Sequence, residues 1–496
     1  MQNFNGFEAN FQLSLLSFSI NLSNNIIKNT INKNMTLITS ISGIRGTIGG
    51  KTSEGLTPID TVRFASAYGI WLKEESKKEN PTVVVGRDAR ISGDMVKNLV
   101  IGALQGVGIN IVHIGLASTP TTELAVIDYK ADGGIIITAS HNPKEWNALK
   151  LLNSKGEFLD AIQGEKVLEI AKSESYSYSD VDSLGKVTED FNYLEKHIEH
   201  VLTLDLVDIE AIKKANFKVA IDAVNSVGGV AVPALLKALG VNDVLELYCV
   251  PNGEFPHNPE PLPEHLTEIS ALVKNEKADV GFVVDPDADR LAIINEDGSM
   301  FGEEYTLVAV ADYILSKTPG NTVSNMSSTR ALRDVTEKRG GKYFASAVGE
   351  VNVVTKMYEV NAVIGGEGNG GIIYPASHSG RDSLVGIALF LTHLAKSGKT
   401  TSELRKSYPN YYMSKNKIEL TPEIDVDNIL KKVEEIYKNE NISTIDGVKI
   451  DFDKSWIHLR KSNTEPIIRI YTEASSQTEA DNMAEKMIER IKEISV

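Results

Sequence analysis

Short apolar runs of strand length recur along this chain, each leading into a polar or glycine-bearing turn and then a stretch of helical period. That recurrence limits the available folds more than any other feature. Residues 82–85, 110–114 and 133–137 read as strands, with helical patterns over 57–78, over 95–107 and from Thr119. A second unit starts at 217–222 with its helix at 230–239. A third has a helix at 303–315 and strands at 343–345 and 362–365. Strand–loop–helix alternation predicts βαβ units with largely parallel sheets, and such sheets hold ligands on the loops at the carboxyl ends of their strands. From about Tyr411 the pattern changes. Strands at 415–420, 447–452, 455–460 and 467–472, with helices at 426–438 and 478–494, predict a small α+β unit with an antiparallel sheet.

At 496 residues the chain is long enough for three or four domains. Its net charge of −16 argues against DNA or RNA as partner, because phosphate backbones demand a basic surface. A small anionic substrate would need a local basic pocket. Cys249 is the single cysteine, which excludes a disulfide framework and a cysteine-based zinc site. No run approaches the roughly 20 apolar residues of a membrane helix. The profile is that of a cytoplasmic protein without a membrane partner. Residues 1–34 are rich in asparagine and lack the basic start and cleavage site of a secretory signal, so they are expected to be a disordered or artefactual extension.

The chemistry-bearing residues lie on loops. Gly133 to Ile137 ends in Thr138-Ala139-Ser140-His141-Asn142-Pro143, and Lys150 follows ten residues after the serine. A serine hydroxyl becomes a nucleophile only with an activating partner, and a capped helix start is the plainer reading. Asp285-Pro286-Asp287-Ala288-Asp289-Arg290 sets three carboxylates at alternate positions, a donor set for a hard divalent cation. A calcium EF-hand also begins this way, but Arg290 stands where its glycine is required and the flanks read as strands. The loop 40–50 is glycine-dense around Arg45. Gly366 to Gly371 presents Glu367 and Asn369 on glycines, good partners for sugar hydroxyls or an amine. Arg460, Lys461, Ser462, Asn463, Thr464 and Arg469 make an anion nest. The stretch Gly86-Arg87-Asp88-Ala89-Arg90 reads as scaffold, with Arg87 and Asp88 paired.

Taken together, T-A-S-H-N-P, D-P-D-A-D-R, R-K-S-N-T-E-P, G-I-R-G and G-E-G-N-G-G occur in the order found in the α-D-phosphohexomutases, and the chain from about Met35 to Val496 resembles that family. The resemblance implies three similar α/β domains with mixed, largely parallel sheets and a smaller C-terminal α+β domain around a central cleft. Their expected bounds are 35–190, 191–299, 300–410 and 411–496. It implies catalytic roles for Ser140, Lys150, Arg45 and His141, with Ser140 carrying a phosphoryl group. Mg²⁺ would sit on Ser140, Asp285, Asp287 and Asp289. Lys150 would do acid–base work, which a depressed pKa favours. Glu367, Asn369, Arg290, Arg460, Ser462, Asn463, Thr464 and Arg469 would bind a phosphorylated hexose. Departures are Asn369, where serine is usual, Gly371, where a histidine is usual, and Ala148, where the family carries glycine. The G-E-G-N-G-G form most resembles phosphoglucosamine mutases, implying exchange of glucosamine 6-phosphate and 1-phosphate in a monomer or homodimer. Glucose or mannose phosphate is the alternative, and a sugar-phosphate phosphatase or a silent sugar-phosphate binder are the readings from other classes.

Overall fold

A computed structural model of the chain describes residues 35–40, 43–419, 425–461 and 467–494. The expectations for 1–34, and for Ser462, Asn463 and Thr464, lie outside the described residues. Among the described residues no helix is long and apolar enough to cross a membrane.

The elements follow from their local chemistry. Helix Pro58–Ser76 opens with a capping box between Thr57 and Asp60 and has proline in its first turn, where its missing N–H is harmless. Ser118 caps helix Thr119–Asp128, and Asp382 accepts from the N–H groups of Leu384 and Val385 at the head of helix Ser383–Ser397.

The strands form four sheets. The first has seven strands, in the order Ile38–Ser40, Gly43–Thr47, Trp146–Leu152, Gly133–Ile137, Thr82–Arg87, Asn110–Leu116 and Val187–Glu189. The second runs Leu291–Asn295, Val280–Val284, Lys218–Asp222, Asp243–Leu247, and the third runs Tyr343–Ser346, Asn321–Asn325, Ala362–Glu367, Gly371–Ile373. All three share one device. A buried parallel strand ends in a loop, and the next strand returns antiparallel beside it: Gly133–Ile137 with Trp146–Leu152, Val280–Val284 with Leu291–Asn295, and Ala362–Glu367 with Gly371–Ile373. The serine loop, the aspartate loop and the glycine-rich loop for which a sugar-binding role is expected, called the sugar loop below, are therefore the same turn of three similar units. The fourth sheet is antiparallel throughout.

The polar run before residue 190 contributes strand Val187–Glu189, paired parallel to Asn110–Leu116. All three of its residues are exposed, so an edge strand left no apolar alternation to read. The stretch after Ser140 returns to the sheet at Trp146, so Lys150 stands on a strand. The second and third units share one apolar core, where Phe390 meets both Phe282 and Phe301 edge to face.

Candidate active site

Ser140 sits at the carboxyl end of its strand with a left-handed backbone, φ 49°. A non-glycine residue there is strained and needs outside support. The support comes from the G-R-D-A-R stretch. Arg90 is buried, pairs through Nε with Asp88 Oδ2 at 3.0 Å, and donates to the carbonyls of Ser140, Asn142, Pro143 and Trp146 at 2.6 to 2.9 Å. Thr138 Oγ1 donates to Asp88 Oδ2 and accepts from the Ser140 N–H. The expected Arg87–Asp88 ion pair is thus replaced. Asp88 pairs with Arg90, and Arg87 reaches Asp94 at 2.9 Å. Two arginines three residues apart gave the sequence no means of choosing between them.

With its backbone held, Ser140 turns its hydroxyl to the aspartate loop and donates to Asp285 Oδ2 at 2.7 Å. Asp285, Asp287 and Asp289 are all buried, and their ligand oxygens lie within 4.8 Å of one another. Burial and repulsion from Asp289 and Asp287 push the Asp285 carboxyl well above the usual range. Burial also pushes Asp287 up, but Lys150 and Thr119 outweigh it and hold the carboxyl low. Asp287 Oδ1 and Asp289 Oδ1 are buried without a hydrogen-bond partner. Three converging carboxylates with orphaned oxygens fit a divalent metal ion, which would give those oxygens the partner they lack.

Cations ring this cluster. Lys150 Nζ lies 2.7 Å from Asp287 Oδ2 and 3.4 Å from Asp289 Oδ2. Burial alone would lower its pKa, yet the two carboxylates overcome that and raise it above the ordinary value. The expected depression is therefore absent in this arrangement, where Lys150 is an ammonium. Arg45, on strand Gly43–Thr47 opposite Ala148, has its pKa lowered by burial and by nearby Arg290. His141 Nδ1 is 3.3 Å from the Ser140 hydroxyl. Burial first, then Arg290, holds its imidazole well below its usual pKa and so neutral.

The sugar loop closes against the aspartate loop from the other side. The Leu291 N–H donates to Gly370 O, and Gly370, at φ +83°, would place a Cβ 2.4 Å from Leu291 O. That close approach and backbone angle are why glycine stands there. Glu367 is buried and accepts from Asn325 Nδ2 at 2.8 Å, the Gly349 N–H at 3.1 Å and Arg381 Nη1 at 2.9 Å. Burial pushes its carboxyl up, but Arg381 and Asn325 more than offset that and hold it low. Asn369 is half-buried, with its amide 3.5 Å from Glu367 Oε2 and its carbonyl accepting from the Gly371 N–H. Arg460 and Arg469 stand opposite one another across two strands of the fourth sheet, with Arg460 3.8 Å from Asp446.

The structure therefore brings Ser140, His141, Lys150, Arg45, Arg290 and the three aspartates into one cluster, adjoined by Glu367 and Asn369. Arg460 and Arg469 belong to a separate sheet. Sequence reading missed Thr119 and Arg381, and it took the stretch with Arg90 as scaffold without the loop that Arg90 holds. Thr119 Oγ1 donates to Asp287 Oδ2 at 2.5 Å, and Arg381 Nη2 donates to Asp289 Oδ2 at 2.7 Å. None of the three sits in a loop whose pattern signals chemistry, and each acts across more than fifty residues of chain or through backbone oxygens.

Comparison with known proteins finds matches from residue 37 to residue 490. Models of the phosphoglucomutase/phosphomannomutase alpha/beta/alpha domains I, II and III match residues 37–177, 195–298 and 302–412, and the C-terminal domain model of that family matches 419–490. A phosphoglucomutase/phosphomannomutase of Thermococcus kodakarensis is 38% identical over 90% of this chain and 98% of its own. A probable phosphoglucosamine mutase of Methanopyrus kandleri is 32% identical over 91% of this chain and 97% of its own. Among solved structures, a phosphoglucomutase/phosphomannomutase family protein of Burkholderia thailandensis superposes with a TM-score of 0.78, covering 92% of this chain and 98% of that one, at 24% identity.

Proposed function

The chain belongs to the phosphoglucomutase/phosphomannomutase family and is a phosphohexomutase, an isomerase; on that premise we propose that its substrate pair is glucosamine 6-phosphate and glucosamine 1-phosphate. The observation that carries the chemistry is the Ser140 hydroxyl, strained into place and donating to Asp285 at 2.7 Å. Phosphorylated there, Ser140 gives its phosphoryl group to a free hydroxyl of the sugar phosphate. The Oγ–P bond breaks, a sugar O–P bond forms, and the hydroxyl proton passes to a base. The bisphosphorylated sugar turns round and returns its other phosphoryl group to Ser140, and the departing sugar oxygen takes a proton. Such transfer asks mainly for positioning and charge neutralisation.

Asp285, Asp287 and Asp289, with the Ser140 oxygen, would hold Mg²⁺, which supplies positive charge to the transferring phosphoryl oxygens. Arg45 and Arg290 add fixed positive charge on the same side. The Lys150 ammonium suits the half-reaction in which the leaving sugar oxygen needs a proton. Neutral His141 can accept a hydrogen bond from, or donate one to, the serine oxygen. Arg460, Ser462, Asn463, Thr464 and Arg469 would grip the distal phosphate. The preference for an amino sugar rests on Glu367, a carboxylate that can pair with an ammonium, and on Asn369, which offers both a donor and an acceptor. We divide the chain into domains at residues 190, 299 and 410 and place it in the cytoplasm.

A second reading, glucose or mannose phosphate, is favoured by the pairing of Glu367 with Arg381, which leaves that carboxylate little charge for an ammonium. An isomerisation panel of glucosamine, N-acetylglucosamine, glucose and mannose phosphates with Mg²⁺ decides between them. Glucosamine phosphate is expected to show the highest kcat/KM and to suffer most from Glu367→Gln. Turnover of glucose or mannose phosphate at least about ten times better, or about 1.4 kcal/mol of transition-state binding, overturns the amino-sugar assignment. Release of free phosphate with no isomer overturns the mutase.

A further inference from the structure

Gly371 and Arg381 compete for one volume. A Cβ on Gly371 would lie 2.3 Å from Arg381 Cδ and 3.1 Å from its Cγ. Gly371 is in strand Gly371–Ile373, and its φ is not among the positive ones, so the backbone itself does not require glycine. What requires it is room for the arginine.

Arg381 uses that room to reach three carboxylates from three elements. Nη1 meets Glu367 Oε2 at 2.9 Å, Nη2 meets Asp289 Oδ2 at 2.7 Å, and Nε meets Glu350 Oε2 at 2.8 Å. The residue is buried, and its backbone is pinned. Arg381 bridges Ile373, the Asp382 N–H donates to Ile372 O, and the Asp382 side chain caps helix Ser383–Ser397. A planar guanidinium holds its nitrogens at fixed spacing, so Asp289 and Glu367 are locked to one rigid fork. A lysine, with a single nitrogen on a flexible stem, has no such geometry.

We infer that Arg381 is a positioning residue that fixes the sugar loop against the aspartate loop, and that Gly371 is glycine to admit it. This rests on the mutase reading, in which the sugar hydroxyl held near Glu367 must meet the phosphoryl group held at Ser140 and the aspartates. Arg381 touches neither reacting atom. It sets the distance between the two groups that do.

The test uses the full chain and whichever sugar phosphate the wild type turns over best. Steady-state isomerisation gives kcat, and calorimetric binding of the same sugar phosphate in a Ser140→Ala background gives Kd. Arg381→Lys is expected to lower kcat about 100-fold, the cost of misplacing reacting groups by about an ångström, while Kd changes less than about fivefold. Gly371→Ala, which keeps the arginine but crowds it, is expected to lower kcat in the same direction. Combined with Arg381→Ala it should add nothing further, because the clash has gone. Three results overturn the inference: kcat of Arg381→Lys within about threefold of wild type, a Kd that rises as much as kcat falls, or Gly371→Ala and Arg381→Ala losses that multiply. Should Arg381→Lys fail to fold, the Gly371→Ala arm still decides, since the arginine is present in it. If the wild type isomerises no sugar phosphate, the mutase reading fails on its own, and a double-mutant cycle of melting temperatures still tests whether Gly371 and Arg381 are coupled.

Discussion

The serine loop and the sugar loop are the same turn in two similar units, yet they are held in opposite ways. The serine loop is gripped by its backbone. Arg90 takes four carbonyl oxygens and leaves the Ser140 hydroxyl to Asp285. The sugar loop is gripped by its functional side chain, with Glu367 accepting from Asn325, Gly349 and Arg381. In the proposed mechanism Ser140 must keep its side chain available as a nucleophile, and its strained conformation is imposed through main-chain atoms. In the same proposal Glu367 recognises the sugar and needs fixed orientation more than freedom, so neighbours that bond it directly serve it well.

The comparison breaks first at the serine. Ser140→Ala is expected to lower isomerisation by about 10⁴-fold or more, as loss of a nucleophile does. The melting temperature should stay near wild type, because the backbone grip remains. Intact mass should show a phosphate on the wild type and none on the variant. Wild-type turnover by this variant would end the proposal that Ser140 carries the phosphoryl group.

The next effect is on stability. Arg90→Met leaves Asp88 buried without its charge partner and four carbonyls without their donor, and breaking a buried pair costs about 3–5 kcal/mol. At about 2–4 °C per kcal/mol, calorimetry should show the first unit melting well below the wild-type temperature. A shift under about 2 °C would mean that something other than Arg90 holds the loop.

The smallest effect concerns pH, and it centres on the helix behind the sugar loop. Behind that loop, Asp382 caps its helix while bonded to His197 at 2.9 Å and His378 at 3.1 Å, and His378 also faces Glu123. Burial pushes the His378 pKa down, but Asp382 and Glu123 outweigh it and raise it to about 10. A histidine raised above its ordinary 6.5 contributes stability fully present below that pH and lost as pH rises through about 10. The drop in melting temperature between pH 7 and pH 10 should therefore be larger in wild type than in His378→Gln. Equal drops would remove the histidine from the account.

Much of the fold was legible because it is local. The apolar strands, capped helices and the change of pattern near Tyr411 need only nearest-neighbour chemistry and the periods of 2 and 3.6 residues. The serine and aspartate loops were legible for a related reason, since each turn is a short contiguous stretch: Asp285, Asp287 and Asp289 share one, and Ser140 sits among the turn residues of another. The edge strand Val187–Glu189 escaped because an exposed edge carries no apolar alternation. Tertiary structure alone decided which arginine pairs with Asp88, that Lys150 is held as an ammonium between two aspartates, and that Arg381 ties Asp289 to Glu367. The last two turn on distances between segments up to 139 residues apart, as from Lys150 to Asp289. No residue-by-residue preference encodes such distances; the packing of three similar units against one another sets them.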